Sequence, residues 1–432
     1  MKWLIYNALF FVAYAVMLPS FLLRMKRRGG YKARMGDRFA NYPADILEKL
    51  SAKNTASRVW IHAVSVGEVQ VAGQLMRSLR KMDPSVRFVF STTSSTGWRT
   101  AQKEVGGDDI LIYNPLDFPC LVKKAFDIVR PRAIILTETE IWPNFIREAK
   151  KRNIPLFLAN ARISDRSAPR YKALKFFFGD IFESFTKMYV QSDLDALRLE
   201  EAGAIRSNME VTGSFKFDVA RRNPDKEVEL RSWVGDGRIL LGGSTWPGED
   251  EVLLRILPLL PNDVKLIIAP RHFEKADAVE GNIIKAGYGC IRRSRGESVL
   301  AESDAASEKK SVFLADTTGE LMGLFGIASA AFVGKSLCEH GSQNMIEPCL
   351  CGIPTVVGPY TENFRPVMSD LLAADAIVQV KDESELNVAV QKFFNEYHSE
   401  YACNLGNRAK AAVERRRGAT DRCAKDILSF LV

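Results

Sequence analysis

Val59-Trp60-Ile61-His62-Ala63-Val64-Ser65-Val66-Gly67-Glu68 is a hydrophobic run that ends in a glycine-bearing turn and presents a carboxylate where a helix begins. The run is short and β-branched, and a helix-length amphipathic stretch follows it. It therefore reads as the start of a parallel βα unit rather than as half of a hairpin. The pattern recurs along the chain. Strands are predicted at Val59 to Val64, Arg87 to Ser91, Ile110 to Tyr113, Ala133 to Thr137, Pro155 to Ala159, Met188 to Gln191 and Glu210 to Thr212. A polar stretch from Lys216 to Asp236, with Pro224 inside it, lacks apolar periodicity and reads as a linker whose body is 221–236. A second series follows at Ile239 to Gly242, Val264 to Ala269, Cys290 to Arg292, Val312 to Leu314, Ala330 to Val333, Thr355 to Val357 and Ile377 to Val380, with helices from about Glu383 to the end. The fold class is α/β: two Rossmann-like, doubly wound halves, 29–220 and 237–432. A ligand is expected in a cleft at the carboxyl ends of the two sheets. Arg293 to Lys310, rich in Ser, Glu and Ala, reads as a long surface loop and is assigned no chemistry.

The chain has 432 residues, too many for one ordinary core, which agrees with two domains. Its composition, 47% hydrophobic and 26% charged, is that of a folded protein. Sixty Lys and Arg against 52 Asp and Glu leave a formal charge of +8, which favours an anionic partner without choosing among nucleotide, nucleic acid and membrane. Seven scattered cysteines suit a reducing compartment. Cys349 and Cys351 have no second pair or clustered histidines to complete a metal site, and read as small buried hydrophobes.

Residues 1–28 read differently from everything after them. Trp3 to Leu23 is an apolar run that as a helix would span about 30 Å, one hydrocarbon core. No small-x-small cleavage site follows it, so an uncleaved anchor is preferred to a signal peptide. Lys2 alone precedes the run, whereas Arg24, Lys26, Arg27, Arg28, Lys32, Arg34 and Arg38 follow it. That asymmetry predicts a cytoplasmic body, with basic residues available to acidic headgroups.

The turns after the strands carry the chemistry. Glu68 is placed to accept a proton from a substrate hydroxyl, or simply to complement a helix N-terminus; the residues leave both readings open. After Ala133 to Thr137 come Glu138-Thr139-Glu140-Ile141-Trp142-Pro143-Asn144, two carboxylates that point to one side if the strand continues to Glu140. Val211-Thr212-Gly213-Ser214-Phe215-Lys216-Phe217-Asp218 offers a cation for phosphate or carboxylate charge, or a surface lysine paired with Asp218. In the second half, Gly242-Gly243-Ser244-Thr245 before a helix near Glu249 suits a phosphate at a helix N-terminus. It matches neither a P-loop nor a dinucleotide fingerprint. Arg271 and His272 end the next strand, Gly319-Glu320-Leu321 starts a helix, and Asn344 and Glu347 would share a helical face and grip two ribose hydroxyls. Each of these also has a capping reading.

These residues identify a resemblance to the 3-deoxy-D-manno-octulosonic acid (Kdo) transferases of lipopolysaccharide synthesis over nearly the full length. The motifs are W-I-H-A-V-S-V-G-E at Trp60 to Glu68, T-E-T-E-I-W-P-N at Thr137 to Asn144, N-A-R-I-S at Asn160 to Ser164, V-T-G-S-F-K-F-D at Val211 to Asp218, A-P-R-H at Ala269 to His272, G-E-L at Gly319 to Leu321 and N-M-I-E-P at Asn344 to Pro348. The resemblance implies the GT-B architecture, with an N-terminal acceptor half and a C-terminal half for CMP-Kdo. It implies that Glu68 is the catalytic base and that Glu138 and Lys216 stabilise the transition state. CMP would be held by Arg271, His272, Gly319, Glu320, Leu321, Asn344, Met345, Ile346 and Glu347, to which the residue reading of the phosphate-suited turn adds Ser244. It further implies inverting transfer from CMP-Kdo to a lipid A precursor, lipid IVA, at the cytoplasmic face of the inner membrane, with no cofactor, no metal and no nucleic-acid partner. The chain departs from the family at Gly341-Ser342, where two glycines are common, and at Trp246-Pro247, where a histidine often stands. The rival readings are a UDP-sugar-dependent GT-B transferase and an inactive, anchored nucleotide-binding scaffold.

Overall fold

The protein is described by a computed structural model covering residues 1–28, 34–51, 58–297, 310–395 and 399–431. Its contacts divide the chain into two compact units, residues 1–219 with the tail from Gly418 onward, and Ala220–Arg417.

The first unit is built on seven parallel strands: β1 Arg58–His62, β2 Arg87–Thr92, β3 Ile110–Tyr113, β4 Ala133–Thr137, β5 Leu156–Ala161, β6 Lys187–Val190 and β7 Met209–Val211. Their order in the sheet is β3-β2-β1-β4-β5-β6-β7. Strands β1 and β4 are buried throughout, because helices cover both faces of a parallel sheet. Alternation along β1 sends Trp60 into the core with Phe126 and Phe145, while Val59 and Ile61 join the opposite core with Leu75 and Phe157. The second unit repeats the plan with β8 Arg238–Thr245, β9 Val264–Pro270, β10 Gly289–Arg292, β11 Ser311–Leu314, β12 Ala330–Val333, β13 Thr355–Val357 and β14 Val378–Gln379, in the order β10-β11-β9-β8-β12-β13-β14. Every predicted strand is present. Strand order reverses between β1 and β4 and between β8 and β12, and turns at the carboxyl ends of such neighbours are where doubly wound sheets bind ligands.

Two boundaries differ from expectation. The predicted linker contains the helix Pro224–Val234, which buries Leu230, Trp233 and Val234 in one core with Ile239, Phe313 and Phe325. Only three side chains face inward, so the sequence shows no periodicity. The last helix, Ala419–Ser429, belongs to the first unit rather than the second: Cys423, Ala424 and Ile427 pack in the core of Leu75 and Phe157. Asp218 ties it there by accepting from the Gly418 N–H at 2.6 Å and the Thr420 N–H at 2.8 Å.

The N-terminal helix is Lys2–Arg28, and its Lys2–Ser20 stretch is long and apolar enough to cross a membrane. One face of it docks on the first unit. Trp3 and Tyr6 meet the ring of Phe177, and Phe10 meets Phe118. Tyr6 donates to Asp117 at 2.8 Å, and Asn144 donates to Asn7 at 2.8 Å. Leu4, Leu9, Phe11 and Val16 are exposed. Of the basic flank, the side chains of Arg24, Lys26, Arg27 and Arg28 and the whole of Lys32 lie outside the described residues. Arg34 and Arg38 do not form a free cationic surface. Arg34 pairs with Asp37 at 2.9 Å, and Arg38 is 4% exposed, donating to Thr93 O with its guanidinium over Tyr113.

Of the predicted surface loop, 298–309 lies outside the described residues. Arg293–Arg295 form a 3-10 turn, with Arg293 paired to Glu229 and Glu320. Cys349 is buried and Cys351 half-buried, whereas Cys120, Cys338 and Cys403 are exposed.

Candidate active site

In the first unit, the turns after β1 and β4 stand side by side. Ser65 caps the helix Val66–Met82 and Glu68 completes a capping box. The Glu68 carboxylate accepts from the Ser65 hydroxyl at 2.6 Å and from the Val64 N–H at 3.0 Å, with the Thr137 hydroxyl at 3.5 Å. Thr137 also donates to His62 O at 2.9 Å, which joins the ends of β1 and β4. Capping, the plainer of the two sequence readings, is therefore real, and it fixes the side chain in one orientation. The residue as a whole is 9% exposed. Burial raises its pKa, hydrogen bonds from Ser65 and Val64 oppose the rise, and the charge of Glu138 adds to it. A carboxylate whose protonation is made easier and whose geometry is fixed has the properties of a general base.

β4 stops at Thr137 and does not continue to Glu140, so strand alternation is not what brings the two carboxylates together. Glu138 instead adopts a left-handed backbone, φ 52°, with its N–H bonded to Ala159 O at 2.9 Å. Such a conformation is uncommon for a residue with a Cβ and marks a turn held by its surroundings. The Glu138 carboxylate pairs with Arg162 Nε at 3.2 Å. Glu140 is pushed up to about 7, chiefly by burial and then by the charges of Glu68 and Glu138. Lys216 joins the group. Burial lowers its pKa, Glu138 raises it, Arg162 lowers it and Glu68 raises it. Asp218, the alternative partner, is engaged by the last helix, accepting from the Gly418 and Thr420 N–H groups and the Thr420 hydroxyl. Asn160, itself left-handed at φ 56°, accepts from the Phe215 N–H at 2.9 Å and so anchors the Lys216 turn to the end of β5. Buried His62, held to Ser91, is depressed to about 4 and is neutral near pH 7. Arg162 is the member that no single motif assigns, although the N-A-R-I-S motif holds its signal; Glu140 enters as one of the two carboxylates after β4, without a role of its own.

In the second unit, Ser244 ends the glycine-rich run with φ 55°. A Cβ on Gly242 or Gly243 would meet the Leu253 side chain or, at 2.6 Å, the Phe325 ring, so glycine lets those side chains pack directly against the run. At the following helix N-terminus, where a phosphate is expected, the chain supplies carboxylates of its own. The helix Glu249–Ile256 carries Glu249, Asp250 and Glu251 in its first turn, and these carboxylates already complement the N-terminal dipole. Arg271 is exposed, with its N–H bonded to Thr245 O at 3.0 Å. His272 lies against the Trp246 ring at 5.3 Å, and Lys335 Nζ stands over that ring at 4.6 Å. Gly319, φ 86°, precedes Glu320 and Leu321. Burial opposes ionisation of Glu320, but hydrogen bonds from Arg293, Lys226 and Thr317 hold it down at about 2. That carboxylate is thus engaged within the protein.

Asn344 and Glu347 do meet, though not on one helical face. The helix Ile346–Cys351 begins after Asn344, whose Oδ1 accepts from the Ile346 N–H at 3.1 Å while its Nδ2 donates to Glu347 at 2.9 Å. Burial raises the Glu347 pKa and the Asn344 hydrogen bond restrains the rise. Met345 and Ile346 are 0% exposed, so their side chains belong to the core and not to a ligand surface. Among the described residues no three His, Cys, Asp or Glu side chains group as metal ligands.

Two parallel, doubly wound units with polar turns where strand order reverses define a GT-B-type glycosyltransferase fold. Over 87% of this chain it resembles a Neisseria meningitidis UDP-GlcNAc 2-epimerase solved with UDP-GlcNAc, 99% of which is covered at a TM-score of 0.59 and 13% identity. It also resembles an Anabaena protein solved with UDP, with 86% of this chain and 99% of that one covered at a TM-score of 0.57 and 13% identity. Residues 33–219 match the family model described as 3-deoxy-D-manno-octulosonic-acid transferase (kdotransferase). The chain is 31% identical to the 3-deoxy-D-manno-octulosonic acid transferase of Haemophilus influenzae over 96% of each sequence, and 31% identical to that of Bordetella pertussis over 83% of each. The chain belongs to the Kdo transferase family.

Proposed function

We propose that the chain transfers Kdo from CMP-Kdo to a lipid A precursor, lipid IVA, with inversion at the anomeric carbon and without a metal ion. The observation that carries the reading is Glu68, held in one orientation beside β4 with a raised pKa and in electrostatic contact with Glu138 and Lys216. In this mechanism the acceptor hydroxyl attacks the anomeric carbon as the bond to the CMP phosphate breaks, and Glu68 takes the hydroxyl proton. Attack opposite to the leaving group inverts the configuration, and no covalent enzyme intermediate is needed. Lys216 and Glu138 face the charge that develops on the sugar, while Arg271 meets the negative charge growing on CMP. Because protein carboxylates occupy the helix N-terminus after Ser244, side chains carry that task rather than a helix dipole. The residual exposure and apolar length of the N-terminal helix support attachment to the inner membrane, with the body cytoplasmic, where a lipid acceptor is found.

The test is a transfer assay offering CMP-Kdo and UDP-N-acetylglucosamine in parallel with tetra-acylated precursor, the lipid product being read by mass spectrometry. Kdo addition from CMP-Kdo alone, undiminished by chelator, is expected. Transfer from the UDP-sugar, or none from either donor, overturns the reading.

A further inference from the structure

Glu249 is 0% exposed, yet its carboxylate is surrounded by backbone donors. One oxygen accepts from the Trp246 N–H at 2.8 Å and the Lys335 N–H at 2.9 Å. The other accepts from Ser336 at 3.0 Å, Leu337 at 3.1 Å and Cys338 at 3.5 Å. Four successive N–H groups converging on one point, opened by a left-handed Lys335 at φ 57°, make an anion-binding nest. The anion inside it belongs to the protein. Since Trp246 follows β8 and Lys335 follows β12, one side chain joins the two turns where strand order reverses. A Cβ on Gly334 would strike the backbone of Ser244 and Thr245, so the turns are in contact.

The hold is passed forward along the chain. The Ser342 N–H returns to Lys335 O at 2.6 Å, and the Gln343 N–H returns to Gly334 O at 3.0 Å, closing the 334–343 loop at its root. Ser342 reaches that bond with φ 60°. The next residue is Asn344, which grips Glu347. Tyr360 N and Gly358 N are bonded to Ser336, so the nest side of the loop is fixed from below as well.

We infer that Glu249 is a positioning residue for the donor nucleotide: it fills the nest at 335–338, locks the 334–343 loop onto the β8 turn, and thereby sets Asn344 and Glu347 in place. The inference rests on the proposed role of Asn344 and Glu347 in holding CMP. It also means that the N–H groups of 335–338 are not available to the donor's own anions, which are left to side chains.

The experiment uses the full chain in detergent and the variants Glu249→Ala and Glu249→Gln, with CMP titrated calorimetrically, transfer kinetics measured, and amide exchange followed over 334–343. Glu249→Ala is expected to weaken CMP binding and raise KM for CMP-Kdo about tenfold or more, the cost of losing hydrogen bonds to a buried charge, with kcat little changed. Formate, which supplies a carboxylate to the emptied nest, is expected to restore affinity in this variant and to leave the wild type unchanged. Glu249→Gln, which keeps one acceptor oxygen, should fall between the two and stands in if the alanine variant does not fold. Unchanged CMP affinity in a folded variant, or a loss that formate does not reverse, overturns the inference. If the wild type itself fails to bind CMP, the functional reading fails. Exchange at 335–338 then decides the structural half alone, faster exchange in the variant upholding the pin and unchanged exchange removing it.

Discussion

Each unit places a glutamate in the first turn of the helix that follows the strand at its reversal, and the two are used in opposite ways. Glu68 follows β1 and Glu249 follows β8, each in the first turn of the next helix and beside the strand that lies across the reversal. Glu249 has five backbone donors and no exposure. Glu68 has the Val64 N–H, the Ser65 hydroxyl and the long contacts from the Ser65 N–H and Thr137, is buried but not fully enclosed at 9% exposure, and feels the charge of Glu138. A carboxylate saturated by N–H groups is a strut, because its charge is fully spent on the fold. A carboxylate with fewer donors and like charges nearby keeps its appetite for a proton. The difference lies in the donors supplied across the reversal: a nest after β12, a single threonine hydroxyl at the end of β4.

Removing the reactive member should give the largest effect. Glu68→Ala is expected to lower transfer about 10²- to 10⁴-fold, the usual worth of a positioned general base, while CMP affinity holds. Loss of affinity and turnover together would make Glu68 a strut like Glu249, and the contrast would collapse. Next comes Glu140. A folded pKa raised to about 7 means that the unfolded chain releases this proton first, so stability is lost as pH climbs from the ordinary carboxylate range toward 7. Glu140→Gln should therefore be more stable than the wild type at pH 8 by about 1–3 kcal/mol and equal to it near pH 4, as read by denaturant unfolding.

Glu138→Gln sharpens the comparison through pH. If Glu68 acts ionised, activity falls as pH drops through its raised pKa, and removing the neighbouring negative charge should move that limb to lower pH by about one unit or less. An unmoved limb would mean that the titrating group is not Glu68. The smallest effect is expected from Thr137→Val, which deletes the hydroxyl joining β4 to β1. About 1 kcal/mol of stability and a severalfold loss of rate should follow, measured by thermal unfolding and initial velocity.

Local sequence carried the elements well. Both series of strands were legible because buried parallel strands read as short β-branched runs. The helix at Pro224–Val234 was not, since it buries little more than Leu230, Trp233 and Val234. The last helix returns to the first unit through Asp218, a contact some two hundred residues apart in sequence that no periodicity can announce. Of the motif Asn344 to Glu347, Met345 and Ile346 go to the core while Asn344 and Glu347 stay half-buried and bond to each other, a division set by where the helix starts.

The sequence alone determined which residue types stand after each strand and, through its motifs, the family, because those depend on neighbours along the chain. Only the tertiary structure decided which turns become neighbours. Arg162 finds Glu138, Glu140 meets Glu68, and Glu249 enters the nest at 335–338 because strand order places β5 beside β4, β4 beside β1 and β12 beside β8. Charge coupling and burial act through space, so the same glutamate becomes base or strut according to what the adjacent strand delivers to it.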